Sequence, residues 1–423
     1  MGIACDIMKK TTYGGHRMAN AFTYIANGKM YAFEDGRGTE LNSRVLEDYI
    51  TKVKDAAKRN EWKYSGSGAA FTGTFQPGAD AESRVASVYS RIHCLGHAEG
   101  DLVYSLEIDR ACGIYRRFAE GDGKEGIVLS SGDAAYRDFD IQNGRMVLTS
   151  AFGGESHIGV MDLGKTAMQV YTEGDTWDSN PVWSAAHPDQ IYFCSAGLPV
   201  GTEPQAKPNT APKGYSEMVQ EMYNAAARAQ HGPTAICLLD IARGTMEELL
   251  ANDKYDYTHP QSMPDGSLYY IRRPYRTGQK RSSPFGCLLD ILLLPFRLLG
   301  ALFGFLNVFS AKYSGKTLSG GRDVKNRDEQ QMFIDGNLIQ AEKELQANRK
   351  RGEANPGIIP HTWELHRRDA NGNDTLIRAG VAAFRADKTS GEILLSNGSA
   401  ILRRTPDGKE SKVLDAQGVS FIC

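Results

Sequence analysis

Apolar and polar residues alternate along this chain in short runs, each closed by a turn signal. Residues 175–196, DTWDSNPVWSAAHPDQIYFCSA, hold an acidic start, an apolar run at 181–184, a Pro-Asp turn and an alternating run at 191–195. Period-two runs bounded by turns predict antiparallel strands. The unit recurs. YRDFDIQNGRMVLTSA from Tyr136 turns on Asn-Gly, YDYTHPQSMPDGSLYYIRR from Tyr255 on Pro-Asp-Gly, and VAAFRADKTSGEILLSNG from Val381 on Ser-Gly. AFTYIANGKMYAFEDG from Ala21 reads as a hairpin on Asn-Gly.

With the first residue of the second strand as a marker, the units begin at Met30, Leu102, Met146, Ile191, Leu268 and Ile393. Met146 lies 44 residues after Leu102, and Ile191 lies 45 after Met146. That spacing is one four-stranded propeller blade. The other steps, 72, 77 and 125 residues, each contain an insertion. Six markers predict an all-β fold, a six-bladed β-propeller with helical insertions on one face; seven blades is the alternative. The expected division is blades one to five over 1–275, an apolar and helical insertion over 276–357, and the end of blade five, blade six and a closing strand over 358–423. Gly418-Val419-Ser420-Phe421 mirrors Gly380-Val381-Ala382-Ala383-Phe384, so the closing strand is expected to join the first blade. Such closure removes the open edges of an array of sheets.

The fourth unit, with Pro181, Trp183, Ser184, Pro188, Asp189, Ile191, Phe193 and Ser195, resembles the TolB-type, WD40-like propeller repeat. The fifth keeps Pro264-Asp265-Gly266 without the Trp; the others match in strand pattern and turn only. The resemblance implies a propeller. Its family includes periplasmic translocation proteins and propellers attached to prolyl peptidases, so it implies no single activity.

Composition narrows the field. The chain has 423 residues, with 49 basic and 51 acidic side chains. Without a basic bias, nucleic acid is not an expected partner. The seven cysteines are scattered, with no C-x-x-C pair, which predicts free thiols in a reducing compartment. MGIACDIMKKTTYGG has no apolar signal core. The expected location is cytoplasmic, or peripheral on the inner membrane face.

All three insertions are expected after the second strand of a blade, at blades one, four and five. Residues 41–59 read as a helix with Val45, Leu46, Tyr49, Val53 and Ala57 on one face, and 216–229 and 328–351 read as further helices. Loops gathered on one face of a rigid scaffold are where function usually sits. Residues 285–309, FGCLLDILLLPFRLLGALFGFLNVF, are the most apolar stretch. Asp290, Arg297, Gly300, Gly304 and Asn307 share about a third of the helical wheel. A single crossing would strand the chain on the far side, and Pro295 divides the stretch. An interfacial helix fits better, with Leu292, Leu293, Phe296, Leu299, Phe303 and Phe305 contacting membrane or a protein partner. Gly300 and Gly304 offer a self-association spacing.

Candidate chemistry is sparse. No G-x-S-x-G nucleophile elbow occurs. His93 and His97 are weak metal candidates on one strand face, with no evident fourth ligand. Asp138, Asp178 and Asp256 are candidate binding residues in the acidic loops between blades; Asp in such places also caps turns. No metal, cofactor or catalytic residue is expected. The predicted function is a non-enzymatic protein-interaction scaffold or binding module, membrane-associated through its apolar insertion. The alternative is a propeller enzyme, of lyase or glycosidase type, using carboxylates in the central funnel.

Overall fold

The computed structural model describes residues 21–64, 81–109, 111–120, 123–197, 231–275, 331–334 and 337–423. The fold is all-β, with few helices among these residues. The first sheet contains β1 (Ala21–Ala26), β2 (Lys29–Glu34) and β3 (Arg37–Leu41). The second is β4 (Ser90–Ala98), β5 (Asp101–Ile108), β6 (Ala111–Arg117) and β7 (Glu125–Ser131). The third group is β8 (Phe139–Gln142), β9 (Arg145–Phe152), β10 (Glu155–Asp162) and β11 (Gln169–Val170). The fourth is β12 (Thr176–Trp183), β13 (Gln190–Gly197), β14 (Ala235–Asp240) and β15 (Thr245–Leu250). One parallel pairing, Ser156 with Trp177, joins the third and fourth groups into a single eight-stranded sheet.

The fifth sheet starts with β16 (Tyr255–Ser262) and β17 (Leu268–Pro274). The chain then departs to form a separate hairpin, β18 (Gln331–Ile334) and β19 (Asn337–Gln340), before β20 (Glu364–Arg368) and β21 (Asp374–Ala379) complete the sheet. The last sheet is β22 (Ala383–Ala386), β23 (Ile393–Ser396), β24 (Ala400–Arg404) and β25 (Glu410–Asp415). Strand β26 (Val419–Ile422) returns to pair antiparallel with β1. Thr23 and Cys423 exchange both backbone hydrogen bonds, at 3.1 and 2.8 Å. The first sheet therefore reads β26-β1-β2-β3, with its first strand drawn from the other end of the chain.

Turn chemistry explains the tight reversals. Asn27 and Gly28 have φ of 50° and 74°, and Asn143 and Gly144 have 52° and 73°. Two consecutive positive φ values define the type I′ turn that matches hairpin twist, which is why Asn-Gly occupies both. The core lies between neighbouring sheets. Val147, Ile158, Trp183, Ile191, Phe193 and Leu239 fill the space between the third and fourth groups. Phe22, Tyr24, Phe33, Leu394, Ile401, Val419 and Ile422 join the last sheet to the first.

Three expectations change. Met30 sits on β2, the third strand of its sheet, because β26 takes the first place. The first insertion accordingly follows the outermost strand, β3, and links one sheet to the next. Its helix α1 (Arg44–Tyr64) packs Val45, Leu46 and Tyr49 against the core. A six-residue helix, α2 (Ala81–Ala86), precedes β4. The third change concerns 328–351, read as one helix. There the hairpin occupies the first half, and α3 (Ala341–Lys350) the second. The Asp335-Gly336 pair between the short apolar-centred runs QMFI and NLIQ is a hairpin signal. Ile334, Ile339 and Ala341 pack on Ile358, Ile359, Trp363 and Ala382, so this part of the insertion is seated on the sheets. The helix expected at 216–229 and the apolar stretch 285–309, including Leu292, Leu293, Phe296, Leu299, Gly300, Phe303, Gly304 and Phe305, lie outside the described residues.

Candidate functional site

The first strands of successive sheets neighbour one another in a closed circuit: β4, β8, β12, β16, β22, β26 and back to β4. They enclose a cavity of about 180 Å³ to which all six contribute. Its polar lining includes His97, Asp138, Asp140, Asn180, His259 and Arg385.

Prolines shape this lining. Pro181 and Pro260 stand inside β12 and β16, where proline cannot donate to the ladder. The register shifts there, between Ser179 and Val182 and between Thr258 and Gln261. The residues before them, Asn180 and His259, have φ of 46° and 53°. Side chains with positive φ are uncommon and mark places where the surroundings over-determine the backbone. A third bulge, between Ile92 and Leu95, interrupts β4 without a proline; Ser105 Oγ takes the Cys94 N–H at 3.0 Å instead.

Polar side chains then tie one inner strand to the next. Asp138 accepts from Asn180 N at 3.2 Å, and Asp140 from Trp183 N at 2.9 Å. The buried Gln261 amide takes both backbone groups of Ala386, at 2.7 and 2.9 Å. Each bond satisfies a backbone group that a bulge or a missing neighbour strand would leave unpaired.

The three predicted binding aspartates divide. Asp138 precedes β8 and does line the cavity. Asp178 lies within β12, 2% exposed, between Thr172 Oγ1 at 2.6 Å and Ser195 Oγ at 2.7 Å. Burial raises its carboxyl pKa above the ordinary value, against the pull of those hydroxyls. Asp256 lies within β16 and accepts from Thr234 N at 3.0 Å. Neither Asp178 nor Asp256 is in a loop: the polar residues before each proline belong to the first half of an inner strand, which the bulge separates from the second half.

His93 and His97 do not share a face, because the bulge between Ile92 and Leu95 breaks the period-two alternation. His93 Nε2 meets Glu107 at 2.7 Å, and Arg137 Nε meets the same carboxylate at 3.2 Å. Burial acts to raise the Glu107 pKa, but Arg137 and His93 hold it well below the usual carboxylate range. His97 instead faces Thr23 Oγ1 at 3.3 Å, and its nearness lowers the pKa of the Cys423 thiol. Among the described residues no group of three or more His, Cys, Asp or Glu could hold a metal ion.

Sequence reading missed Asn180, His259, Arg385 and Cys423. The recurrent signal was Asn-Pro and His-Pro inside predicted strands, since proline there marks a bulge. Nothing local singles out Arg385 or Cys423.

No protein-family model and no curated protein matches the chain. Among solved structures, TolB from Acinetobacter baumannii is similar with a TM-score of 0.44 and 9% identity, over 95% of this chain and 65% of that one. The putative TolB from Agrobacterium tumefaciens aligns with a TM-score of 0.40 and 11% identity, over 77% and 83%. A structure of a nidogen/laminin complex aligns with a TM-score of 0.42 and 7% identity, over 95% and 97%. The structural neighbours are thus TolB and other propeller proteins.

Proposed function

We propose that the chain is a six-bladed β-propeller working as a non-enzymatic binding module, with its ligand or partner held at the mouth of the axial cavity. The observation that carries this reading is the lining itself. Six inner strands bring polar side chains to one cavity, while the carboxylates that a lyase or glycosidase would use are engaged by backbone N–H groups of β8 and β12. The insertions support it. α1 lies in a fourth-to-first connection, and residues 198–230 and 276–363 lie in second-to-third connections. In an antiparallel meander, connections of both kinds leave on the same side, so the strand ends that carry all three insertions lie on one face.

The reading extends to peripheral attachment at the cytoplasmic membrane face. Its support is the composition of 285–309 and the flanking Arg276, Lys280, Arg281, Lys312 and Lys316. Among the described residues no helix is long and apolar enough to cross a membrane. One experiment with two arms tests the proposal. The protein is incubated with a mixture of polar metabolites and short peptides, and the retained compound is analysed by mass spectrometry. The compound should be recovered chemically unaltered, and His259→Leu should abolish its retention. A converted compound would establish catalysis instead. In the second arm, anionic liposomes should co-sediment the wild type and not the variant with Leu292, Leu293, Phe296 and Leu299 replaced by Ser. Wild type left in the supernatant would remove the membrane part.

A further inference from the structure

We propose that the axial cavity binds an oxyanion, a carboxylate or a phosphate group, on the guanidinium of Arg385. The inference rests on the reading of the cavity as the ligand site. Other half-buried arginines have carboxylate partners: Arg116 with Asp101, Arg137 with Glu107, Arg272 with Glu364 and Arg378 with Glu410. Arg385, from β22, makes no ion pair among the described residues. Its Nε is buried without a hydrogen-bond partner. Buried polar groups are nearly always paired, and a guanidinium is costly to desolvate without a partner. An orphaned cationic fork facing a cavity therefore marks a place for an anion.

The neighbouring acids do not fill that place. Asp138 accepts from the backbone of β12, and Asp140 from Ile141 N at 2.9 Å as well as from Trp183 N. Two more polar side chains line the cavity, Asn180 and His259, and neither the Asn180 amide nor His259 Nε2 makes a hydrogen bond among the described residues. Cys423 also senses a positive environment. Burial acts to raise its thiol pKa, but His97 and then Arg385 bring it below the ordinary value. In contrast, burial pushes up the thiols of Cys94, Cys112, Cys194 and Cys237. A planar guanidinium matches carboxylate and phosphate oxygens two at a time, which favours these anions over a halide.

The test titrates inorganic phosphate and succinate separately into the full chain at constant ionic strength, with chloride as control, and follows the melting midpoint. At least one anion should raise it saturably. Arg385→Gln should weaken that response at least ~10-fold, while Arg385→Lys retains part of it. A response to phosphate alone assigns a phosphate ligand; a response to succinate alone assigns a carboxylate. No saturable response, or an equal response in Arg385→Gln, overturns the proposal. Should Arg385→Gln fail to fold, wild-type Cys423 decides: the effective anion must slow its alkylation by N-ethylmaleimide severalfold, and no protection overturns the proposal. An uncharged compound retained equally by wild type and Arg385→Gln would leave the binding-module reading standing and this inference refuted.

Discussion

Deleting residues 418–423 should unfold the whole domain rather than fray one end. Strand β26 inserts Val419 and Ile422, both essentially buried, between the last sheet and β1. Each buried aliphatic side chain removed costs about 2–5 kcal/mol. The deletion also leaves the first-strand edge of β1 unpaired, including Thr23 N and O. The summed loss, ~5 kcal/mol or more, approaches the total stability of ordinary domains. The expected result is loss of the cooperative thermal transition, or a midpoint lowered by more than about 10 °C. A melting curve unchanged by the deletion would mean that the sheets hold together without closure.

The second large effect is expected at Trp183. Its ring is 2% exposed in the cluster with Val147, Phe193 and Leu239, and the Arg145 guanidinium lies 4.7 Å from the ring centre. Trp183→Ala should cost about 3–5 kcal/mol in urea unfolding, through lost burial and an unfilled cavity. Trp183→Phe is the informative control. The indole Nε1 is buried without a hydrogen-bond partner, so removing it forfeits no bond and relieves a desolvated N–H. That variant should cost less than ~1.5 kcal/mol. Equal losses from both substitutions would contradict the claim that volume, and not a polar contact, is what Trp183 supplies.

The sequence made the second strands readable and the first strands hard to read. β13, β17 and β23 read as short apolar runs behind Pro-Asp, Pro-Asp-Gly or Ser-Gly turns, because each is an inner, regularly paired strand of its sheet. β12 and β16 do not, because Pro181 and Pro260 break the ladder halfway, leaving a polar half that resembles a loop. The same break moves Asp178 and Asp256 from expected surface loops into strands. Counting in the first sheet began one strand late, since local sequence around Ala21 cannot announce a partner that arrives from Val419. The mirror between 380–384 and 418–421 did announce it, because both strands follow a positive-φ glycine, Gly380 at 73° and Gly418 at 67°. The cavity was least legible. Its residues come from six strands spread between Cys94 and Cys423, and neither periodicity nor motif spacing reports a site assembled by the closure of a ring.

The central claim is that closure, and a cross-link measures it directly. Thr23 and Cys423 form a hydrogen-bonded antiparallel pair, for which the Cα separation is about 5.5 Å, within the range a disulfide spans. In the Thr23→Cys variant, mild oxidation of dilute protein followed by non-reducing peptide mass spectrometry should recover position 23 joined to Cys423 within one chain, and the oxidised monomer should melt at higher temperature than the reduced one. A folded variant in which both thiols remain free, or are joined only between chains, would contradict a ring closed by β26.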